Sequence, residues 1–257
     1  MKAVILCGGK GTRMREETEY RPKPLVPIGG KPILWYIMKT YYQYGINDFI
    51  LCTGYKSDMI KQYFMEMYWR NNDFTLHING DKKVEFHTVE KEDWNVTLVD
   101  TGLETGTGAR LKKIEKYVDG DDFFMTYGDG VSDVNINELL QFHRNKGKIA
   151  TITGVHPMSP FGLIDVKDGI VKSFIEKPRL NDMINGGFMV LNNEVFKYIA
   201  NEEECMFEQK PIKDLAAASE LAVYEHNGFW TAIDTFKDIE KINKMWNDGD
   251  RPWVSWK

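Results

Sequence analysis

The chain opens on an uncharged run, Ala3-Val4-Ile5-Leu6-Cys7, that breaks at once into Gly8-Gly9-Lys10-Gly11-Thr12-Arg13. A short, continuously apolar segment stopped by a glycine turn reads as a strand buried on both faces, as in a parallel sheet covered by helices. It is too short to span a membrane, and glycine follows where a leader peptide would need a cleavage site. The next segments fit a parallel sheet: Ile33, Leu34, Ile37, Met38 and Tyr41 recur at helical spacing, Phe49-Ile50-Leu51-Cys52 is strand-like, and Ile60, Tyr63, Phe64 and Met67 mark a second helix. This is a βαβα arrangement with right-handed crossovers.

Between residues 73 and 99 the pattern becomes β-rich, with a hairpin predicted from strands at 74–78 and 84–89 around the turn Asn79-Gly80-Asp81. Helical spacing returns after Gly108, and the apolar run Phe123-Phe124-Met125-Thr126-Tyr127 ends at Gly128-Asp129-Gly130 as a central strand would. The second half predicts helices near 136–142, 194–199, 212–219 and 236–246, and strands near 150–155, 163–166, 171–175 and 187–191. No Pro-, Ser- or Gly-rich linker interrupts it. The expectation is α/β: one domain over 1–257 with a Rossmann-like, mixed but mainly parallel sheet flanked by helices, a β-rich insertion near 73–100 and an aromatic tail near 245–257. Trp246, Trp253 and Trp256 in that tail either fold back on the chain or meet another subunit. A homo-oligomer is therefore expected.

The net charge of −5 excludes a chain whose main task is to coat a nucleic-acid backbone. Cys7, Cys52 and Cys205 are isolated and odd in number, without metal spacing, which fits a reducing cytoplasm. His77, His87, His143, His156 and His226 also lack metal-ligand spacing.

Three clustered glycines let a backbone approach a ligand and present several N–H groups to it, while Lys10 and Arg13 add cations. The spacing is neither that of a Walker loop nor that of a dinucleotide fingerprint, so a flexible connection remains an equal reading. In Arg21-Pro22-Lys23-Pro24, prolines on both sides of Lys23 restrict where its ammonium can point. Such a charge could neutralise a polyphosphate, or it could belong to a surface polyproline turn. Asp129 stands between glycines at a strand end, where a turn aspartate is the alternative; Asp234 stands where an N-cap would serve equally. Together they could hold Mg²⁺.

Gly8-Gly9-x-Gly11-Thr12-Arg13, Lys23-Pro24, Gly128-Asp129, Glu176-Lys177-Pro178, Asn185-Gly186-Gly187 and Asp234-Thr235 occur in an order that resembles the sugar-1-phosphate nucleotidyltransferases over nearly the whole chain, from Met1 to Lys257. The segment from Trp94 to Gly102 and the Trp-rich tail are most similar to the glucose-1-phosphate cytidylyltransferase branch. The resemblance implies CTP and glucose 1-phosphate as substrates, Mg²⁺ as cofactor, and no nucleic acid or membrane partner. It implies that Leu6, Cys7, Gly8, Gly9, Lys10, Gly11, Thr12, Arg13, Lys23, Thr105, Arg110 and Gly128 bind nucleotide. Glu176, Lys177, Asn185 and Gly186 would bind the sugar phosphate, and Asp129 and Asp234 the metal. Arg13, Lys23, Asp129 and Lys177 would carry the chemistry. Two residues depart from the family pattern: Cys7 stands for a usual alanine, and Lys10 for a commonly apolar residue. Uridylyl or thymidylyl transfer, a sugar-nucleotide-dependent glycosyltransferase and a non-catalytic sugar-nucleotide sensor are the alternatives.

Overall fold

A computed structural model describes residues 1–78, 83–88 and 92–256. Seven strands form the main sheet: β1 (Lys2–Leu6), β2 (Asp48–Thr53), β3 (Asn95–Asp100), β4 (Asp122–Tyr127), β5 (Ala150–Val155), β6 (Ile184–Asn192) and β7 (Leu221–His226). Their spatial order is β7-β5-β6-β4-β1-β2-β3. β1 runs parallel to both β2 and β4, β2 to β3 and β5 to β7, while β6 is antiparallel to its neighbours β5 and β4. The mixed, mainly parallel sheet expected from the sequence is present.

The apolar run of β1 alternates between two cores. Ala3 and Ile5 face one buried cluster and Val4 and Leu6 the other, because successive strand side chains point to opposite faces. The main helices are α1 (Ile33–Tyr42), α2 (Ser57–Arg70), α3 (Thr107–Lys113), α4 (Ile136–Lys146), α5 (Lys210–Ala217) and α6 (Phe236–Asp248). No described helix is long and apolar enough to cross a membrane.

Three expectations need correction. Residues 95–100 are not part of a β-rich insertion: they form β3, paired in register with β2 from Asp48↔Asn95 to Thr53↔Asp100. The alternating burial of an edge strand hid it among its β-rich neighbours. The hairpin before it is confined to Phe74–His77 and Lys83–Phe86, with Ile78 outside the strand; the predicted turn Asn79-Gly80-Asp81, and Val89, lie outside the described residues, as does Lys257. The predicted helix at 194–199 is a 3₁₀ segment, Asn193–Tyr198. Strand β7 had no counterpart in the sequence reading, because only its pairing with β5 distinguishes it.

The aromatic tail folds back on its own chain. Trp253 is fully buried, Trp246 lies edge-on to Tyr36 at 5.6 Å, and Trp256 lies edge-on to Trp35 at 5.9 Å. Burying such rings contributes on the order of 2–3 kcal/mol each. A different feature is left uncovered. The antiparallel hairpin Leu163–Lys167 and Ile170–Ile175 is exposed at every strand position, including Leu163, Ile164, Val166, Ile170, Val171, Phe174 and Ile175.

Candidate active site

β1 passes through α1 to β2 on one side, and the chain later returns to β4 on the other, so β1 and β4 flank a reversal of strand order. Ligands of open α/β sheets sit outside the carboxyl ends of such strands. Both glycine turns are there. The Gly128 N–H donates to the Leu6 carbonyl at 3.0 Å, and a Cβ on Gly128 would lie 3.0 Å from that oxygen and 3.1 Å from Pro24 Cγ. Only glycine lets the two turns and the Lys23-Pro24 segment close this tightly.

The backbone N–H groups of Gly8, Gly9, Lys10 and Gly11 donate no hydrogen bond among the described residues. They border a cavity of about 590 Å³, lined also by Leu6, Cys7, Thr12, Arg13, Lys23, Thr105, Arg110, Gly128, Asp129 and Asp234. Every nucleotide- and metal-binding candidate from the sequence is therefore gathered in one place. Lys10 reaches across the mouth to pair with Glu104.

Lys23 lies in a 3₁₀ turn, Lys23–Leu25, closed by the Leu25 N–H on the Pro22 carbonyl at 2.8 Å. Its side chain is mostly buried and its ammonium donates to Asp129 Oδ2 at 2.8 Å and Asp234 Oδ1 at 2.6 Å. Arg13 Nη1 meets the other oxygen of Asp234 at 3.1 Å. One short ladder and one further backbone bond bring these acids together: Gly130–Ser132 pairs antiparallel with Trp230–Ala232, and the Ile233 N–H donates to the Asp129 carbonyl at 2.9 Å. Asp234 is not a helix cap. Thr235 caps α6 in a reciprocal capping box with Asp238, which leaves the Asp234 carboxylate free to face the cavity.

These two acids suit a magnesium ion. They are hard oxygen donors, each more than a third exposed, and no cluster of three or more acidic, His or Cys ligands exists among the described residues. Magnesium takes one or two carboxylates and completes its shell with water and substrate phosphates.

Thr105 and Arg110 line the cavity but spend their polar atoms on the protein. Thr105 Oγ1 lies 2.7 Å from both the Thr101 carbonyl and Glu203 Oε2. The buried Arg110 guanidinium donates to the carbonyls of Gly8, Thr53, Gly102 and Leu103 and to Thr101 Oγ1. Desolvation lowers its pKa from the ordinary arginine range, and Arg110 ties the phosphate-loop candidate to the 101–103 loop. Burial, reinforced by Cys52 and Asp129, pushes the Cys7 thiol well above its usual range, so Cys7 is a neutral wall and no nucleophile.

A smaller cavity of about 220 Å³ adjoins the first and shares Tyr127, Asp129 and Asp234 with it. Asn185 and Gly186 line it as expected. They sit at a bulge: Ile152 pairs with Met189 but Gly154 with Asn185, and Gly187 adopts φ +82°. A Cβ at Gly187 would lie 2.7 Å from the Tyr127 ring. Glu176 and Lys177, the other two sugar-side candidates, line neither cavity. They follow the protruding hairpin, stay well exposed, and meet each other at 3.5 Å.

Sequence reasoning missed Tyr127, Met206, Glu204, Trp230 and Ala232 as lining residues. Tyr127 directly precedes Gly128-Asp129, and 230, 232 and 234 alternate as in a strand, so those carried a readable signal. The 203–207 segment carried none. It arrives through close packing of Gly106 and Gly108 on Cys205.

The sequence matches the family described as "Nucleotidyl transferase" over residues 2–249. It is 48% identical over 258 residues to the glucose-1-phosphate cytidylyltransferase of Salmonella typhimurium, covering 100% of both chains. The same enzyme of Salmonella typhi is equally similar, at 48% over 258 residues. In three dimensions the chain resembles HddC from Yersinia pseudotuberculosis complexed with GMP-PN, with a TM-score of 0.68, 22% identity, and coverage of 95% of this chain and 99% of that one.

Proposed function

This chain belongs to the nucleotidyl transferase family, and on that premise we propose that it transfers the cytidylyl group of CTP to glucose 1-phosphate, giving CDP-glucose and pyrophosphate. The observation that carries the reading is the position of Asp129 and Asp234 on the shared wall of the larger cavity, which the glycine loop borders, and the smaller one beside it.

An oxygen of the sugar phosphate attacks the α-phosphorus of CTP in line; the new P–O bond forms as the bond to the bridging oxygen of the leaving pyrophosphate breaks. The attacking phosphate is already anionic near neutral pH, so positioning and charge stabilisation outweigh proton transfer. The free amides of Gly8, Gly9, Lys10 and Gly11 receive the triphosphate, with Arg13 as a two-pronged donor to its outer oxygens. Lys23, whose backbone is held by the flanking prolines, turns its ammonium from the acids toward the phosphates. Magnesium, held by Asp129 and Asp234, would supply neutralisation of the charge building on the pyrophosphate. Asn185 both donates and accepts, and suits sugar hydroxyls.

Purified protein incubated with glucose 1-phosphate, Mg²⁺ and each of CTP, UTP, dTTP, ATP and GTP separately, with pyrophosphate measured, tests the reading. Release with CTP is expected. Release with only UTP or dTTP would overturn the base and keep the reaction type; none at all would overturn both.

A further inference from the structure

The smaller cavity has an aromatic wall with no part in the chemistry above. Trp230, Ala232 and Asp234 all line it, as expected of alternate residues on one face of an extended segment. Asp234 marks the phosphate end. Four residues of strand place Trp230 about 13 Å further along, enough for a hexose phosphate laid along the segment, with the small side chain of Ala232 leaving room between. Gly130 pairs with Ala232 on the neighbouring strand, and the rest of the lining includes a small, polar stretch, Asn185, Gly186 and Gly187.

The indole also fixes that stretch. Trp230 Nε1 donates to the Gly186 carbonyl at 2.7 Å. Gly186 has little freedom of its own, since a Cβ there would lie 2.8 Å from Val155 Cγ1 and 3.2 Å from the Thr153 carbonyl. The ring therefore pins the bulge that holds Asn185, whose Oδ1 accepts from the Gly187 N–H at 2.9 Å. A pyranose presents hydroxyls around its edge and apolar C–H groups on its faces. A polar rim beside an indole face complements both.

We infer that Trp230 is a sugar-binding and sugar-positioning residue: its ring is the platform for the hexose, and its N–H sets the position of the Gly186 and Asn185 wall. The inference rests on the reading that this cavity takes the sugar phosphate. It assigns Trp230 to glucose 1-phosphate and not to CTP.

Trp230→Ala and the smaller aromatic Trp230→Phe should be compared with the unaltered chain by kinetics on each substrate in turn, and by calorimetric titration of glucose 1-phosphate and of CTP. The Ala variant is expected to raise KM for glucose 1-phosphate roughly tenfold or more, with KM for CTP within about twofold. The Phe variant keeps a ring and loses one donor, so about a three- to fivefold rise is expected. Unchanged glucose 1-phosphate binding in both variants would overturn the inference, as would an equal loss for both substrates in the Phe variant, which marks a merely structural role. If the unaltered protein binds glucose 1-phosphate but does not turn over CTP, the titration still decides the role of Trp230 while the functional reading fails. If it binds no glucose 1-phosphate, both fall.

Discussion

Lys23 and Asp234 are separated by 211 positions in the chain, yet the lysine ammonium lies 2.6 Å from the carboxylate. The same ammonium holds Asp129 on its other side. One ammonium therefore bridges the two acids proposed to hold a dication.

Asp129→Asn and Asp234→Asn should each reduce pyrophosphate release by about 100-fold or more while leaving the circular dichroism spectrum unchanged, because each removes one charge from the proposed metal pair without changing size. Near-normal turnover in either variant would show that the acid is not a metal ligand.

Gly8 and Gly9 should respond differently to the same change. A Cβ on Gly8 would fall within the Arg110 guanidinium, whereas one on Gly9 meets nothing within 4 Å. Displacing a buried arginine from several carbonyls costs about 3–5 kcal/mol. Gly8→Ala should thus lower the melting temperature by several degrees and Gly9→Ala should leave it in place; equal melting temperatures for both variants would count against this role of Arg110.

His143 should contribute a pH-dependent part of stability. It is buried, with Nδ1 2.9 Å from Thr151 Oγ1, and desolvation lowers its pKa despite the nearby Asp122. The unfolded chain therefore takes up this proton first as pH falls. The contribution is full above the unfolded histidine pKa of about 6.5 and is lost as pH falls toward the lower folded value. Thermal melts between about pH 7 and pH 5 should show a shallower decline for His143→Gln than for the unaltered chain. Identical slopes would assign the dependence to other groups.

We propose that the protein self-associates through the hairpin of residues 163–175 and not through its tryptophan tail. The tail is packed on α1, while the cross-strand pair Ile164↔Phe174 is about 60% exposed on both sides. The hairpin alternates Asp165, Lys167, Asp168 and Lys172 among its apolar residues, so a second copy offers it both apolar surface and opposite charge. Sedimentation should show an oligomer that Ile164→Lys with Phe174→Lys converts to monomer. A monomeric unaltered chain would refute it.

Local pattern was enough to give the parallel core, the glycine turns after β1 and β4, and the resemblance that grouped Arg13, Lys23, Asp129 and Asp234. Those features are written in periodicity, turn residues and motif order, each legible within a few neighbours. Local pattern misplaced β3 and missed β7, since an edge strand is defined by the partner it pairs with. It could not exclude the cap reading at Asp234 either; that depended on Thr235 taking the cap. Tertiary structure alone decided that Arg110 faces protein carbonyls, that Glu176 and Lys177 stand off both cavities, that the tail is buried while the hairpin is bare, and that Trp230 borders the smaller cavity. Each of these depends on contacts between segments far apart in sequence, whose geometry exists only once the sheet has closed over its two cores.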